Sequence, residues 1–365
     1  TSEKGIFKSW TILLSIFTFS LSLLGTFLVR SGILISVHSF ASDPSRGVFI
    51  LLMLIALIGG GLLAYALNSY KFKDENEVKL FSKEGFFLLN NILLVTATFT
   101  ILLGTMYPLF LDILGLEKIS VGVPYYNAVF VPLMIPLILL VGYIPILLSR
   151  LSKNKQLIQL VAILIISIFL SLIYNVNTIL FFIGIFSATW IVGNILFDSF
   201  KSYDNKIMLR NRIGMYFAHF GLAVFIVGAS VSENMKIEKE FTLDIGQSKQ
   251  VGLFNYKFEK LNEYKSMNYD ALIASIIVSK DDQFITEINP EKRLYHSSES
   301  PMTEAGINGR LDRDLYVSLG NMVSENKWSI RVYDKPLIRL IWIGTIFMIL
   351  GAIISIRFRR SRHYE

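Results

Sequence analysis

The stretch Gly25–Leu51, GTFLVRSGILISVHSFASDPSRGVFIL, decides the fold because it joins two long apolar runs through a short polar loop. The loop contains His38, one of only four histidines in the chain, and Arg30 and Arg46 stand near its two ends. A helix needs about 20 predominantly apolar residues to cross a bilayer, and the runs on both sides reach that length. We therefore predict a transmembrane hairpin that holds a metal-competent imidazole against the membrane surface.

The composition is that of a membrane protein with a polar domain. Of the 365 residues, 53% are hydrophobic and only 17% are charged. The net charge is +7, but the basic residues mostly flank apolar runs, which indicates membrane topology and gives no support to nucleic-acid binding. The chain has no cysteine, so it forms no disulfide and no cysteine zinc site. Because it begins at Thr1 and shows no cleavable signal pattern, we expect a fragment or a processed chain.

Eight apolar stretches have the length and composition of membrane spans, or nearly so. Their predicted bounds are Trp10–Val29, Gly47–Leu67, Phe86–Met106, Ala128–Leu148, Leu157–Ile173, Thr178–Leu196, Ile213–Val231 and Leu337–Ile356. The loops on one side of the membrane hold 17 Lys and Arg residues, whereas the short loops on the other side hold Arg30, Arg46 and Lys118. The positive-inside rule then predicts that both ends of the chain are cytoplasmic.

The segment between the last two spans has a different pattern. Short runs such as Phe241–Ile245, Ile276–Val278 and Trp328–Val332 combine β-branched and aromatic residues with polar turns, which predicts strands. The fold class is therefore a polytopic α-helical membrane protein of about eight spans with a small β-rich extracytoplasmic domain. The predicted domains are a membrane domain with seven spans over residues 1–231, a periplasmic β-rich domain over 232–336, a final span over 337–356 and a basic cytoplasmic tail over 357–365.

His219 stands out because it lies about 10 Å into the seventh span, counted from Arg212 at ~1.5 Å per residue. An ionisable side chain at that depth is by default a hypothesis for a functional site, although a neutral histidine bonded to a backbone carbonyl is the structural alternative. Gly214, Ala218 and Gly221 are small, and we expect them to leave room for a flat ligand beside the imidazole. An apolar site without cysteine or a nearby carboxylate favours haem iron over zinc.

The other histidines and the outer arginines carry weaker signals. His38 is either a ligand, an idle surface residue or a pH-sensitive one, whereas His296 and His363 have the sequence context of surface residues. Arg30 and Arg46 either snorkel to lipid phosphates or bind an anionic ligand.

Several segments of the chain resemble the cytochrome c maturation haem-lyase family of the CcmF/NrfE type. In chain order they are GTFLVRSGILISVHSFASDPSRGVFIL, VGVPYYNAVFVPL, NRIGMYFAHFGLAVFIVG, PEKRLY, MTEAGI and RDLYVSLG. The resemblance covers essentially the whole chain as the C-terminal portion of a longer protein.

The resemblance implies a function outside the cytoplasmic membrane. Members take haem from a haem chaperone and promote its attachment to the two cysteines of a CxxCH motif in apocytochrome c, which thioreduction and presentation proteins deliver. By the match, His38 is an axial ligand of the incoming haem and His219 an axial ligand of a resident b-type haem. Arg30 and Arg46 are then possible partners of the haem propionates, an inference from their position and charge.

The sequence departs from the family in one large respect. The tryptophan-rich segment, the second outer histidine and the second membrane histidine are absent, and the four tryptophans are scattered along the chain. Each haem site would be half-built, so we expect an N-terminal half to supply the rest and this chain to be inactive without it. The alternatives without haem are a membrane transporter or a scaffold subunit.

Overall fold

The architecture is described from a computed structural model of the chain. The residues described are 6–31, 44–72, 78–79, 82–116, 119, 121–149, 152–174, 178–202, 206–296, 301–324 and 326–361. His38 and His363 lie outside the described residues.

Eight described helices are long and apolar enough to cross a membrane, as the sequence predicts. Seven of them are single helices: α1 Lys8–Arg30, α2 Pro44–Asn68, α3 Lys83–Ile113, α6 Lys153–Ile173, α7 Ile179–Ser202, α8 Lys206–Met235 and α9 Arg339–Ser361. The fourth span is interrupted: a helical turn α4 (Val123–Tyr125) and a π-helical segment (Tyr126–Phe130) precede α5 (Val131–Ser149). A 3₁₀ turn, Ser69–Phe72, follows α2. The predicted spans all fall within or close to these helices, so this element of the fold class is confirmed.

The chain divides into two compact units, Thr1–Leu137 and Ile138–Glu365, and the division falls inside α5. In the first unit the C-terminal end of α1 and the N-terminal end of α2 meet where Gly47 packs on the backbone of Ser31, because a Cβ at Gly47 would lie 2.9 Å from the Ser31 Cα. Further along the same pair, Gly61 of α2 lies next to Ile16 of α1, and a Cβ at Gly61 would lie 3.7 Å from the Ile16 side chain. The close approach at Gly47 brings the backbones of α1 and α2 together at this end of the pair.

The second unit contains a β-sandwich between α8 and α9, as predicted. Its strands are β1 Ile237–Asp244, β2 Ser248–Val251, β3 Phe254–Lys265, β4 Tyr269–Lys280, β5 Gln283–Ile288, β6 Glu291–Tyr295, β7 Met302–Glu304, β8 Gly306–Gly309, β9 Arg313–Ser324 and β10 Lys327–Pro336. One sheet has the order β1-β10-β9-β8 and the other β2-β3-β4-β6-β7, with β5 paired to β4; every pairing is antiparallel. Of the strand segments predicted from the sequence, Ile276–Val278 and Trp328–Val332 lie in β4 and β10, and Phe241–Ile245 extends one residue past the end of β1.

The sandwich is held by a core of inward-facing side chains from both sheets. They alternate with outward polar residues along β3, β4, β9 and β10, as expected for sheets with one buried face. The fully buried members include Phe258, Ile276, Val317, Leu319 and Ile330. Truncating a buried Ile or Leu to Ala costs about 2–5 kcal/mol, so this core can stabilise the domain.

The last two membrane helices pack at very close range. Gly214, Gly221 and Gly228 of α8 recur every seven residues. Gly214 and Gly221 face Gly351 and Gly344 of α9, which are also seven apart, and Gly228 packs on Leu340 and Ile341. A Cβ on Gly221 would lie 2.5 Å from the carbonyl oxygen of Gly344, and one on Gly351 would lie 2.5 Å from the amide nitrogen of Ala218. Small residues at this spacing let helix backbones touch in a membrane, so α8 and α9 form one tight pair.

One ion pair connects the β-sandwich to the start of α9, and a second joins β9 to β10 nearby. Arg339 donates to Asp314 at 2.9 Å, and Arg313 donates to Asp334 at 2.9 Å. Burial raises the pKa of the Asp334 carboxyl. The nearby Arg313 lowers this pKa and so offsets only a portion of the rise. The backbone turns sharply at Leu337, which has a φ of 51° and donates its N–H to the Asp312 carbonyl at 2.8 Å. These contacts fix the strand β10 against the first turn of the last span.

Candidate functional site

His219 lies on the side of α8 that faces α7. It continues a stripe of residues spaced three or four apart, which also contains Arg212, Tyr216, Ala223 and Ile226. Tyr216, Ala223 and Ile226 are buried in one cluster with residues of α7. The imidazole is half-buried, and its Nδ1 is buried without a hydrogen-bond partner among the described residues.

The unpartnered Nδ1 fits a ligand role better than the structural alternative. A neutral histidine held for structural reasons would donate to a carbonyl or accept from a donor, because an unsatisfied buried polar atom costs about 1–3 kcal/mol. The structure offers His219 no such partner in the described segments of the chain. The described residues therefore make no structural hydrogen bond to Nδ1, and histidine is a usual ligand of haem iron.

The small residues near His219 serve a different purpose from the one expected. Gly214, Ala218 and Gly221 pack against Gly344, Gly351 and Ser355 of α9. At about 100° per residue they lie 100–160° around α8 from His219. The expectation that they leave room for a flat ligand beside the imidazole is wrong, because their surface is filled by the backbone of α9.

A buried ion pair lies one to two turns from His219 toward the N-terminal end of α8. Asp198 of α7 is 1% exposed and contacts Arg212 of α8 at 2.5 Å. The Tyr216 hydroxyl donates to the other carboxylate oxygen of Asp198 at 2.7 Å. Asp198 thus contacts α8 at Arg212 and Tyr216, and each of its carboxylate oxygens has a partner.

The polar contacts continue along α7 to its neighbours. The Asn194 amide, one turn before Asp198, donates to the Gly142 carbonyl of α5 at 2.9 Å. Gln159 of α6 donates to the Asn194 side-chain oxygen at 2.5 Å. These bonds tie α5, α6 and α7 together, and the Asp198 pair adds α8. Such a network fixes the position of the helix that carries His219.

Sequence reasoning missed this network, although one signal was present. The predicted sixth span ends at Leu196, which leaves Asp198 outside it, whereas α7 continues to Ser202. An acidic residue in the apolar context NILFDSF is rare inside a membrane helix and marks a partner or a site.

An apolar groove of this unit borders α8 but does not contain His219. It has a volume of about 470 Å³ and opens between α6, α7 and α8. Phe220, Val224 and Val227 line it from α8. His219 is not among its lining residues, although Ala223, one turn further along the same stripe of α8, is.

Arg30 and Arg46 lie at the end of the α1–α2 hairpin where Ser31 packs on Gly47. Arg30 is the last residue of α1 and is half-buried, whereas Arg46 lies in the first turn of α2 and is exposed. The helix ends therefore bring both residues to the edge of the loop that contains His38. Their role as propionate partners stays a prediction.

Two tyrosines at the start of the fourth span have a structural role, and His296 is a surface residue. Tyr125 donates to the Thr100 carbonyl at 2.9 Å, and Gly104 of α3 packs on the rings of Tyr125 and Tyr126. These tyrosines hold the start of the fourth span against α3. His296 is exposed after β6 with its Nε2 3.7 Å from Asp270, as expected for a surface residue.

The fold defines a class: a polytopic membrane protein whose last two spans carry a β-sandwich between them, with His219 in the first of these two spans. Known proteins of this class match the chain. The CcmF C-terminal beta-sandwich family matches residues 234–336. The cytochrome c-type biogenesis protein CcmF of Haemophilus influenzae is 39% identical over 380 residues, covering 99% of this chain and 58% of that protein. CcmF of Escherichia coli is 38% identical over 363 residues, covering 98% and 56%.

Two matches at lower sequence identity are to proteins of the same kind. The cytochrome c-type biogenesis protein NrfE of Haemophilus influenzae is 33% identical over 368 residues. A solved structure of "Cytochrome c Heme Lyase CcmF" matches 97% of this chain and 55% of its own, with a TM-score of 0.73 at 21% identity, which shows a shared fold. The chain belongs to the CcmF/NrfE family of cytochrome c biogenesis proteins, and it spans little more than half the length of the relatives it matches.

Proposed function

We propose that this chain is part of a cytochrome c haem lyase that holds a resident b-type haem and promotes attachment of incoming haem to apocytochrome c. The observation that carries the proposal is His219, an intramembrane imidazole with an unpartnered Nδ1 in a chain of the CcmF/NrfE family. His219 would hold the resident haem as one axial ligand. When bound, that haem supplies an electron carrier, which keeps the iron of the incoming haem reduced.

The residues at the outer surface receive the substrate in this proposal. His38 is the axial ligand of the incoming haem, delivered by a haem chaperone. Arg30 and Arg46, at the two helix ends that flank the loop, pair with the haem propionates, since guanidinium groups bind carboxylates with two parallel hydrogen bonds. The N-terminal half of the lyase, with its tryptophan-rich segment, supplies the second ligands.

The bond-forming step depends on how haem and the apocytochrome cysteines are positioned, more than on a nucleophile from this protein. Each thioether forms when a cysteine thiol of the CxxCH motif adds across a haem vinyl group, so sulfur bonds to one vinyl carbon and hydrogen to the other. The chain itself has no cysteine. Its contribution is to hold haem and polypeptide in a reactive geometry, which is a large share of many enzymatic rate enhancements.

The proposal also includes location and orientation. We place the chain in the cytoplasmic membrane with both of its ends cytoplasmic and residues 232–336 in the periplasm. The observation that supports this is the charge bias, with 17 Lys and Arg residues in the loops of one side and three in the short loops of the other.

A substitution at His38 tests the proposal. We expect His38→Ala, co-produced with the N-terminal half and an apocytochrome, to lower the yield of covalently attached haem at least about tenfold, because the incoming iron loses its ligand. The resident b-type absorbance should be unchanged. Haem-stained gels of the cytochrome and a visible spectrum of the purified lyase measure the two effects.

His296→Ala is the matched control, because His296 is an exposed histidine of the β-sandwich. It should leave the cytochrome yield at the wild-type level. Full attachment of haem by the His38→Ala protein would contradict the proposed receiving site.

A further inference from the structure

The end of the β-sandwich that joins α8 and α9 carries exposed leucines at the tips of two turns. Leu253 lies in the β2–β3 turn and is 55% exposed, and Leu311 lies in the β8–β9 turn and is 75% exposed. Full burial of a leucine side chain is favourable by about 1.5–3 kcal/mol compared with leaving it in water. A pair of leucines at this end of the domain therefore indicates a surface that covers them.

Leu311 is level with the outer end of the last span. The carbonyl of its neighbour Asp312 accepts the N–H of Leu337 at 2.8 Å. Two residues before Leu311, the Arg339 guanidinium packs directly on Gly309, where any Cβ would overlap it. Because Arg339 is the first residue of α9, this turn lies beside the start of the last span.

Leu253 is level with the outer end of the seventh span by the same kind of evidence. Its neighbour Gly252 packs on the Ile237 side chain, where a Cβ would lie 2.7 Å from Cδ1. Ile237 is the second residue after α8, which ends at Met235. Both leucine turns are thus anchored to residues that immediately flank a membrane helix.

The two turns belong to one surface with the features of a membrane interface. The Arg313 guanidinium, after the Leu311 turn, lies 5.4 Å from the ring centroid of Phe254, after the Leu253 turn. On the outer side of the β9–β10 pair, Lys335 lies over the rings of Tyr316 and Tyr333. Tyrosines and basic residues at the level of lipid headgroups anchor membrane proteins at the interface.

We propose that the Leu253 and Leu311 turns insert into the outer leaflet and dock the β-sandwich on the phospholipid surface. The occupant of this surface is lipid because the two turns are fixed, through residues 237, 337 and 339, to the points where the chain enters and leaves the membrane. Docking at two turns in addition to two helix connections limits the tilt of the domain. This proposal goes beyond the proposed haem function and does not depend on it.

The opposite end of the sandwich provides the control position. Met267 lies in the β3–β4 turn, at the other end of the strands, and is 89% exposed. It is as apolar as the leucines but has no connection to a membrane helix among the described residues. A lipid surface should cover the leucine turns and leave Met267 in water.

The absence of cysteine makes a clean labelling experiment possible. Single variants Leu311→Cys, Leu253→Cys and Met267→Cys of the full chain would carry a nitroxide label in nanodiscs of phosphatidylethanolamine and phosphatidylglycerol. Collision rates with oxygen, which partitions into lipid, and with a water-soluble nickel chelate report the surroundings. We expect the oxygen-to-nickel ratio at 311 and 253 to exceed that at 267 by about threefold or more, as for side chains ~5–10 Å into the interface.

Two outcomes would overturn the proposal. Equal ratios at 311, 253 and 267 would mean that the turns remain in water. Low accessibility to both reagents at 311 and 253 would mean that protein covers the leucines. Since each label replaces an exposed turn residue, the fold is not at risk, and the haem spectrum does not enter the measurement.

Discussion

His219→Gly is expected to abolish the low-spin b-type spectrum of the lyase assembled from this chain and its N-terminal half. The substitution removes the imidazole that we propose as an iron ligand and leaves a space where it stood. Added imidazole should then restore at least some of the absorbance, because a free imidazole can fill the space and bind the iron. A merely structural histidine would not give this rescue, which makes the pair of spectra specific for a ligand role.

The measurement is haem bound per polypeptide, from the visible spectrum of the purified assembly with and without imidazole. His296→Gly serves as the control because it removes an exposed histidine from the β-sandwich, and its spectrum should equal that of the wild type. A His219→Gly protein with its full low-spin spectrum would remove His219 from the site.

Asp198→Ala is expected to lower the free energy of unfolding of the membrane domain by about 3–5 kcal/mol, the usual effect of removing one partner of a buried ion pair. Asp198 is buried at 1% exposure, and the substitution takes from Arg212 and Tyr216 the carboxylate that both contact. Unfolding in detergent micelles, followed by circular dichroism, measures the change.

A double-substitution cycle makes the cause specific. The combined Asp198→Ala and Arg212→Ala protein should be more stable than the sum of the single effects predicts, because the pair is removed together. Glu240→Ala breaks the exposed pair with Arg331 on the β-sandwich and should change stability little. If Asp198→Ala unfolds like the wild type, the pair does not hold α7 and α8 together.

The elements of the fold that follow from local composition could be predicted from the sequence. Runs of about 20 apolar residues have the length of a membrane span, so all eight were found, and alternation in Phe241–Ile245 and Trp328–Val332 located strands of the sandwich. Short strands such as β7 and β8 were missed because three or four residues carry too little periodicity.

The contacts between helices could not be predicted in the same way. The sequence shows that Gly214, Ala218 and Gly221 are small, but only the position of α9 decides that they contact Gly344 and Gly351. Asp198 falls outside the predicted span because hydropathy drops around it, although α7 continues and buries the carboxylate against Arg212. His219 was found because one ionisable residue in an apolar run needs no tertiary information to stand out.

A resident haem shared between this chain and the N-terminal half of the lyase is tested most simply by a reduced-minus-oxidised visible spectrum of the detergent-purified chain, taken alone and together with that half. We predict a low-spin b-type band that appears only when both polypeptides are present, because this chain supplies His219 and the other supplies the second ligand. The absence of a band in both preparations would contradict a resident haem and would favour transport or scaffolding for this chain.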